Sequence, residues 1–232
     1  MLIFTIFQVL NKKEQPQEKT YSAQTKVEQS TLTDGSVITL NKKSNLTTVF
    51  TNKERRVKLQ GEAYFAVAHD GGKPFIIEVN TVEVKVVGTE FKIDNQSQPN
   101  KVIVVVEEGV VEVKGKNEIK RLTKGQKAAY DIMSSSFEPN VKNDINEMAF
   151  KSGELIFENR TTLSEAVNKI NDYYNSSVEI SSPNIANCPI SRLVFNMNEI
   201  SLDSILAIIT EPSDIKIEKK NGKIYLKGNG CE

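Results

Sequence analysis

The chain has 232 residues, 38% of them hydrophobic and 26% charged, and its net charge is zero. That balance supports a packed core and excludes wholesale disorder. Residues 1–140 carry 20 basic and 17 acidic side chains and residues 141–232 carry 10 and 13. Neither half has the basic excess that phosphate neutralisation needs, so nucleic acid is not an expected partner.

The first ten residues, Met1 to Leu10, are almost wholly apolar and are followed by Asn11-Lys12-Lys13. As a helix they would rise about 15 Å, half of the ~30 Å of a bilayer core. They lack the basic flank and cleavage site of a signal peptide. The reading is the remnant of a transmembrane helix, with a buried strand as the alternative. Residues 11–30 are polar, contain Pro16 and show no period, which predicts a linker.

Residues 31–132 read as strand after strand. Val57, Leu59, Ala63, Phe65 and Val67 share one parity, with Gly61 in register, and Lys58, Gln60, Glu62 and Tyr64 share the other. A period of two predicts a strand with one buried face. Gly61-Glu62-Ala63 interrupts that run, as a bulge with a satisfied carboxylate or as a partner contact. The apolar parity is even at Val82, Val84 and Val86 but odd at Phe91 and Ile93. The flip across Gly88-Thr89 predicts a β-bulge or sharp bend at Gly88. Val102 to Val106 is apolar throughout, as in a strand covered on both faces. Glu107-Glu108-Gly109 reads as a hairpin turn into Val110–Val113. Asp34-Gly35, Gly71-Gly72 and Lys124-Gly125 mark further turns.

Residues 133–149, with Ser134–Ser136 and Pro139, read as a second linker. Residues 150–232 hold an internal repeat. Leu155-Ile156-Phe157, a helix from about Thr162 to Tyr174 and Val178-Glu179-Ile180 form one copy. Leu193-Val194-Phe195, a helix from about Ser201 to Thr210 and Ile215-Lys216-Ile217 form the other. Thr162 with Glu165 fits a capping box, Ser201 is a good N-cap, and Asn221-Gly222 turns a final hairpin. The expectation is two short βαβ units sharing one sheet. The fold class is therefore mainly β plus α+β: an N-terminal β-sandwich or jelly-roll-like domain at 31–132, then a small βαβ-repeat domain at 150–232.

No constellation for catalysis, metal or cofactor is predicted. The single histidine, His69, sits in an Ala68-His69-Asp70-Gly71-Gly72 turn, and Gly71-Gly72-Lys73 lacks P-loop spacing. Strand acids such as Glu62, Glu83 and Glu112 alternate with apolar residues, as on the solvated face of a sheet. A carbohydrate-binding jelly roll would need an aromatic platform, for which Tyr64 and Tyr130 are the candidates. A glycoside hydrolase would need two carboxylates converging in a cleft. Cys188 and Cys231 lack CxxC spacing, leaving two thiols or one disulfide open.

Residues 32–130 resemble the FecR family of bacterial anti-sigma regulators. The resemblance runs through Leu32-Thr33-Asp34-Gly35-Ser36, Leu40-Asn41, Arg56 to Val67, Pro74-Phe75 and Val86-Val87-Gly88-Thr89-Glu90-Phe91. It closes on Glu108-Gly109-Val110-Val111-Glu112-Val113 and Leu122-Thr123-Lys124-Gly125-Gln126. Gly61, Glu62, Gly88, Thr89, Gly109 and Gly125 are its motif residues. Residues 150–232 are similar to the C-terminal module often joined to FecR, with the pattern of the short domain of secretins and TonB-dependent transducers. Phe150 stands where the family often has tryptophan.

The resemblance implies a non-enzymatic, single-pass inner-membrane protein with this region in the periplasm. The partner it implies is the N-terminal signalling domain of an outer-membrane TonB-dependent transducer. A sigma factor would be held by a cytoplasmic segment absent here. The periplasm permits a disulfide, and a domain this small would benefit from one. If the last strand lay beside the 190–196 strand, Cys188 and Cys231 would sit at one end of the domain within bridging distance.

Overall fold

The computed structural model describes residues 18–139, 141 and 144–231. The expected membrane remnant at 1–10 and the start of the linker lie outside those residues. The chain forms two compact units that divide between residues 143 and 144. Among the described residues no helix is long and apolar enough to cross a membrane.

The first unit runs β1 (Glu18–Ala23), β2 (Glu28–Thr31), β3 (Val37–Leu40), β4 (Ser44–Phe50), β5 (Arg55–Gln60), β6 (Glu62–Ala66) and β7 (Phe75–Val79). It continues with β8 (Val82–Val86), β9 (Glu90–Asp94), β10 (Lys101–Glu108), β11 (Val110–Lys114), β12 (Ile119–Thr123), β13 (Lys127–Asp131) and β14 (Ser136–Phe137). Two seven-stranded sheets result, ordered β1-β4-β5-β7-β8-β11-β12 and β14-β13-β10-β9-β6-β3-β2. The pairing is antiparallel except for β5 with β7. The inner faces form one core, with Leu46, Val57, Leu59 and Ile77 from the first sheet and Ile38, Phe91, Ile93 and Val104 from the second. Phe65 bridges the layers, stacked on Phe91 at 5.2 Å and edge-on to Phe75 at 6.3 Å. Aliphatic and phenylalanine side chains, each contributing about 1.5–3 kcal/mol when fully buried, fill the sandwich without a tryptophan.

The motif glycines lie where the chain changes sheet. Gly61 separates β5 of the first sheet from β6 of the second, Gly88 separates β8 from β9, and Gly109 separates β10 from β11. The bend predicted at Gly88 is such a corner, and the parity flip keeps both strands facing a shared core. Glu107-Glu108-Gly109 is also a corner and not the expected hairpin: β10 pairs with β9 and β13, β11 with β8 and β12. A register shift between Val106 and Glu108 supplies the bulge that bends the strand there.

Gly61 shows why such a corner excludes a side chain. Its φ is +109°, and a Cβ would lie 2.3 Å from Ser44 Oγ and 2.7 Å from Ser44 Cα. Gly61→Ala is therefore expected to destabilise the fold by about 2–3 kcal/mol, combining left-handed strain with backbone displacement. Urea denaturation checks this, and a loss below about 0.5 kcal/mol would show that the corner relaxes freely.

Both expected linkers contain strands. β1 pairs along its length with β4, and β2 with β3. β14 pairs with β13. These are edge or near-edge strands with polar sequences, so no buried period was there to read.

The second unit comprises α1 (Ala149–Ser152), β15 (Glu154–Phe157), β16 (Thr161–Thr162), α2 (Leu163–Tyr174), β17 (Val178–Ile180) and β18 (Pro189–Ile190). It ends with β19 (Leu193–Asn196), α3 (Leu202–Thr210), β20 (Lys216–Lys220) and β21 (Lys223–Lys227). The capping box at Thr162 and Glu165 is formed, and Ser201 caps α3 through the Ser204 N–H. Leu163, Val167 and Ile170 of α2 and Ile205, Leu206 and Ile209 of α3 share one core. The two copies do not share one sheet as expected. Their first strands, β15 and β19, pair antiparallel in a two-stranded sheet. Their last strands, β17 and β20, flank β21 in a three-stranded one.

Candidate functional site

Each motif residue of the first unit has a structural partner. The Gly61 N–H donates to Asn95 Oδ1 at 2.7 Å, and the Glu62 N–H to Ser44 Oγ at 2.9 Å. The Glu62 side chain is buried, which corrects its placement on a solvated face. Its carboxylate lies 3.0 Å from Lys92 Nζ and accepts from Asn41 Nδ2 at 2.6 Å. Burial holds its pKa above the ordinary carboxylate range, against the pull of Lys92. Lys92 and Asn41 thus satisfy the carboxylate within the fold. Beside it Ile103 and Val105 are buried on the outer side of β10, as the unbroken apolar run predicts.

At the opposite corner the Thr89 hydroxyl donates to the Val110 carbonyl at 3.0 Å, joining the Gly88 and Gly109 bends. A Cβ on Gly88 would lie 2.8 Å from His69 Cα, and one on Gly109 2.9 Å from Thr89 Oγ1. Gly125 has φ +77° and donates to the Val106 carbonyl where the chain passes from β12 to β13. His69 packs at this corner, while Asp70 Oδ1 accepts from the Gly72 and Lys73 N–H groups and shapes the turn instead of orienting the imidazole.

The carbohydrate platform is not assembled. Ala63 and Phe65 of β6 point into the core, so Tyr64 projects from the outer face of the second sheet. Tyr130 projects inward, against Phe137, and its hydroxyl accepts the Lys116 N–H. Two carboxylates do converge, those of Glu90 and Glu107, but both meet the Tyr64 hydroxyl. Burial together with the two carboxylates pushes the pKa of that phenol far up. Among the described residues no group of three or more His, Cys, Asp or Glu could hold a metal ion.

A residue that sequence reasoning passed over organises one end of the sandwich. Arg55 is 3% exposed. It donates to Asp34 Oδ2 at 2.9 Å and to the carbonyls of Ala68, Lys73 and Val87 at 2.7, 3.0 and 3.3 Å. Asp34 also accepts from the Ser36 hydroxyl, which in turn accepts the Ala68 N–H. One guanidinium thereby ties the β2–β3 turn, the β6–β7 loop and the Gly88 corner. The available signal was parity: Arg55 falls in step with Val57 and Leu59.

In the second unit Cys188 and Cys231 are joined by a disulfide with Cα atoms 5.6 Å apart. The route differs from the one expected, because β21 lies beside β17 and β20 and not beside β19. The Ser181 N–H donates to the Leu226 carbonyl and the Gly228 N–H to Ser182 Oγ. The end of β21 is thus carried to the turn that leads into Cys188.

The family described as FecR protein matches residues 19–112, and the one described as FecR, C-terminal, matches residues 154–226. No curated protein matches the chain. Two crystal structures of a protein assigned as an anti-sigma factor from Parabacteroides distasonis ATCC 8503 are similar to it, each at 26% identity and a TM-score of 0.69. They cover 91% and 92% of this chain and 100% of their own. With both modules matched in order and a solved relative of the same extent, the chain belongs to the FecR family of anti-sigma factors, a regulatory and non-enzymatic kind of protein.

Proposed function

We propose that this chain is the periplasmic signalling part of a single-pass inner-membrane anti-sigma factor. It relays the state of an outer-membrane TonB-dependent transducer to an extracytoplasmic-function sigma factor. The observation that carries the reading is the tandem of the two family modules, at 19–112 and 154–226. The second unit is the part that docks the transducer's N-terminal signalling domain. Its small sheets present strand edges suited to β-augmentation or domain docking. In this reading a cytoplasmic segment, and neither β-rich unit, holds the sigma factor.

Titration calorimetry of the full chain with the N-terminal domain of the transducer encoded beside its gene is expected to give saturable binding. Hydrogen exchange on the complex is expected to place the protected amides in residues 144–231. Protection confined to residues 18–139 would overturn the docking assignment, and absence of binding would overturn the relay.

A further inference from the structure

The strand edges of the second unit are not equivalent. The Asn146 side chain lies along the outer edge of β15: its Nδ2 donates to the Ile156 carbonyl at 2.8 Å and its Oδ1 accepts the Ile156 N–H at 2.7 Å. Asn171 does the same for β17, with Nδ2 to the Val178 carbonyl at 2.9 Å and the Val178 N–H to Oδ1 at 2.8 Å. Each amide stands in for one residue of a neighbouring strand. The outer edge of β20 carries Lys216, Lys219 and Lys220, the charged guard that discourages strand addition.

β19 is closed at its two ends, the Arg192 N–H by Asn159 Oδ1 and the Asn196 carbonyl by the Glu199 and Ile200 N–H groups, but its middle residue, Val194, has no such device. Because both backbone groups of Ile156 turn toward Asn146, its cross-strand partner Val194 is in a non-hydrogen-bonded pair. In an antiparallel ladder the Val194 N–H and C=O then point away from β15, and among the described residues nothing bonds to them. Val194 is also 48% exposed. Arg192 and Arg160 flank the start of the strand: the Arg160 N–H donates to the Ile190 carbonyl and the Arg192 N–H to Asn159 Oδ1. Both arginines are exposed, and neither makes an ion pair among the described residues. Glu158 is the one acid in that turn.

We propose that β19 is the docking edge, and that an extended, acidic segment of the transducer's N-terminal domain adds to it as a third strand. The inference rests on the transducer reading above. A backbone donor and acceptor on one residue, spaced for a ladder, select an extended chain over a helix. The two arginines select carboxylates at the end of that chain nearest them.

The test uses the full chain and the same transducer domain. In hydrogen exchange the Val194 amide is expected to exchange rapidly in the free chain and at least about tenfold more slowly in the complex. Val194→Pro removes the outward N–H, at an edge where proline is tolerated, and leaves the pairing with β15 in place. It is expected to weaken binding about tenfold or more, the effect of one or two hydrogen bonds, with an unchanged melting temperature. Arg160→Glu with Arg192→Glu keeps the backbone intact and is expected to weaken binding and flatten its salt dependence.

Should Val194→Pro fail to fold, the exchange measurement and the charge reversal decide. Binding with an unprotected Val194 amide overturns the β19 edge while leaving the transducer reading standing. No binding by the wild-type chain overturns both. A homodimer that Val194→Pro dissolves overturns the transducer strand in favour of a second copy of this chain.

Discussion

Arg55→Ala is expected to lower the stability of the first unit by about 3–5 kcal/mol, the loss typical when one partner of a buried ion pair is removed. The reason lies in what remains. Asp34 loses its cationic partner in a site where its side chain is 12% exposed and that of Arg55 only 4%. The carbonyls of Ala68, Lys73 and Val87 lose donors at the same time. Phe75, whose ring centre lies 5.3 Å from the guanidinium carbon, loses its cationic neighbour. Lysine should recover little, because a single ammonium cannot span four acceptors that a planar fork reaches together.

A double-mutant cycle with Asp34→Ala separates the ion pair from the carbonyl contacts. Strong coupling, about 1 kcal/mol or more, means that the stranded charge dominates. Weak coupling with a large Arg55→Ala effect means that the three carbonyls dominate. A loss below about 1 kcal/mol in urea denaturation would show that Arg55 does not hold this end of the sandwich together.

Arg55 also shows where the sequence was legible and where it was not. Strand periodicity located the core, since Val57, Leu59, Phe65, Phe91 and Ile93 are all buried where parity puts them. The same parity places Arg55 inward, but an arginine between Glu54 and Arg56 looks like a solvated turn. Its neighbour Arg56 does face outward, paired with Glu54, Glu78 and Glu83. Glu62 keeps the outward parity of Lys58 and Gln60 and stands out in the sequence as a satisfied carboxylate or a partner contact, but alternation does not show that it is buried on its outer face against Asn41 and Lys92. Local alternation says which side chains share a face. It does not say when a strand leaves one sheet for another, because that depends on approaches such as Gly61 to Ser44 and Gly88 to His69 between residues far apart in the chain. Hairpin and corner look alike at Glu108-Gly109 for the same reason. Edge devices are still less visible: Asn146 and Asn171 read as ordinary loop and helix asparagines until the strands beside them are placed.

Reduction of the Cys188–Cys231 bond is expected to lower the stability of the second unit by about 4 kcal/mol. The two residues are 43 positions apart, and closing a loop of that length removes about that much chain entropy from the unfolded ensemble. The loss is large for so small a unit, because a short chain buries a smaller share of its surface and has little stability in reserve. The bond also has a specific place. Cys188 is buried in the core with Leu163 and Ile185, and its carbonyl accepts the Leu163 N–H at the start of α2. Cys231 follows the end of β21, the strand that holds β17 and β20 together. The bridge therefore fastens the three-stranded sheet to the helix start, and opening it frees the final strand to fray.

Three measurements check this. Protein exported to an oxidising compartment should be two hydrogens lighter than the fully reduced mass. Cys231→Ser should match reduced wild type in denaturant, since Cys231 is exposed and the substitution removes little besides the bond. The transition of the first unit should stay where it was, an internal control that the reductant acts on the bridge alone. Wild type that unfolds at one denaturant concentration whether oxidised or reduced would show that the folded packing around Cys188 already holds the C-terminus, and that the bond adds nothing to it.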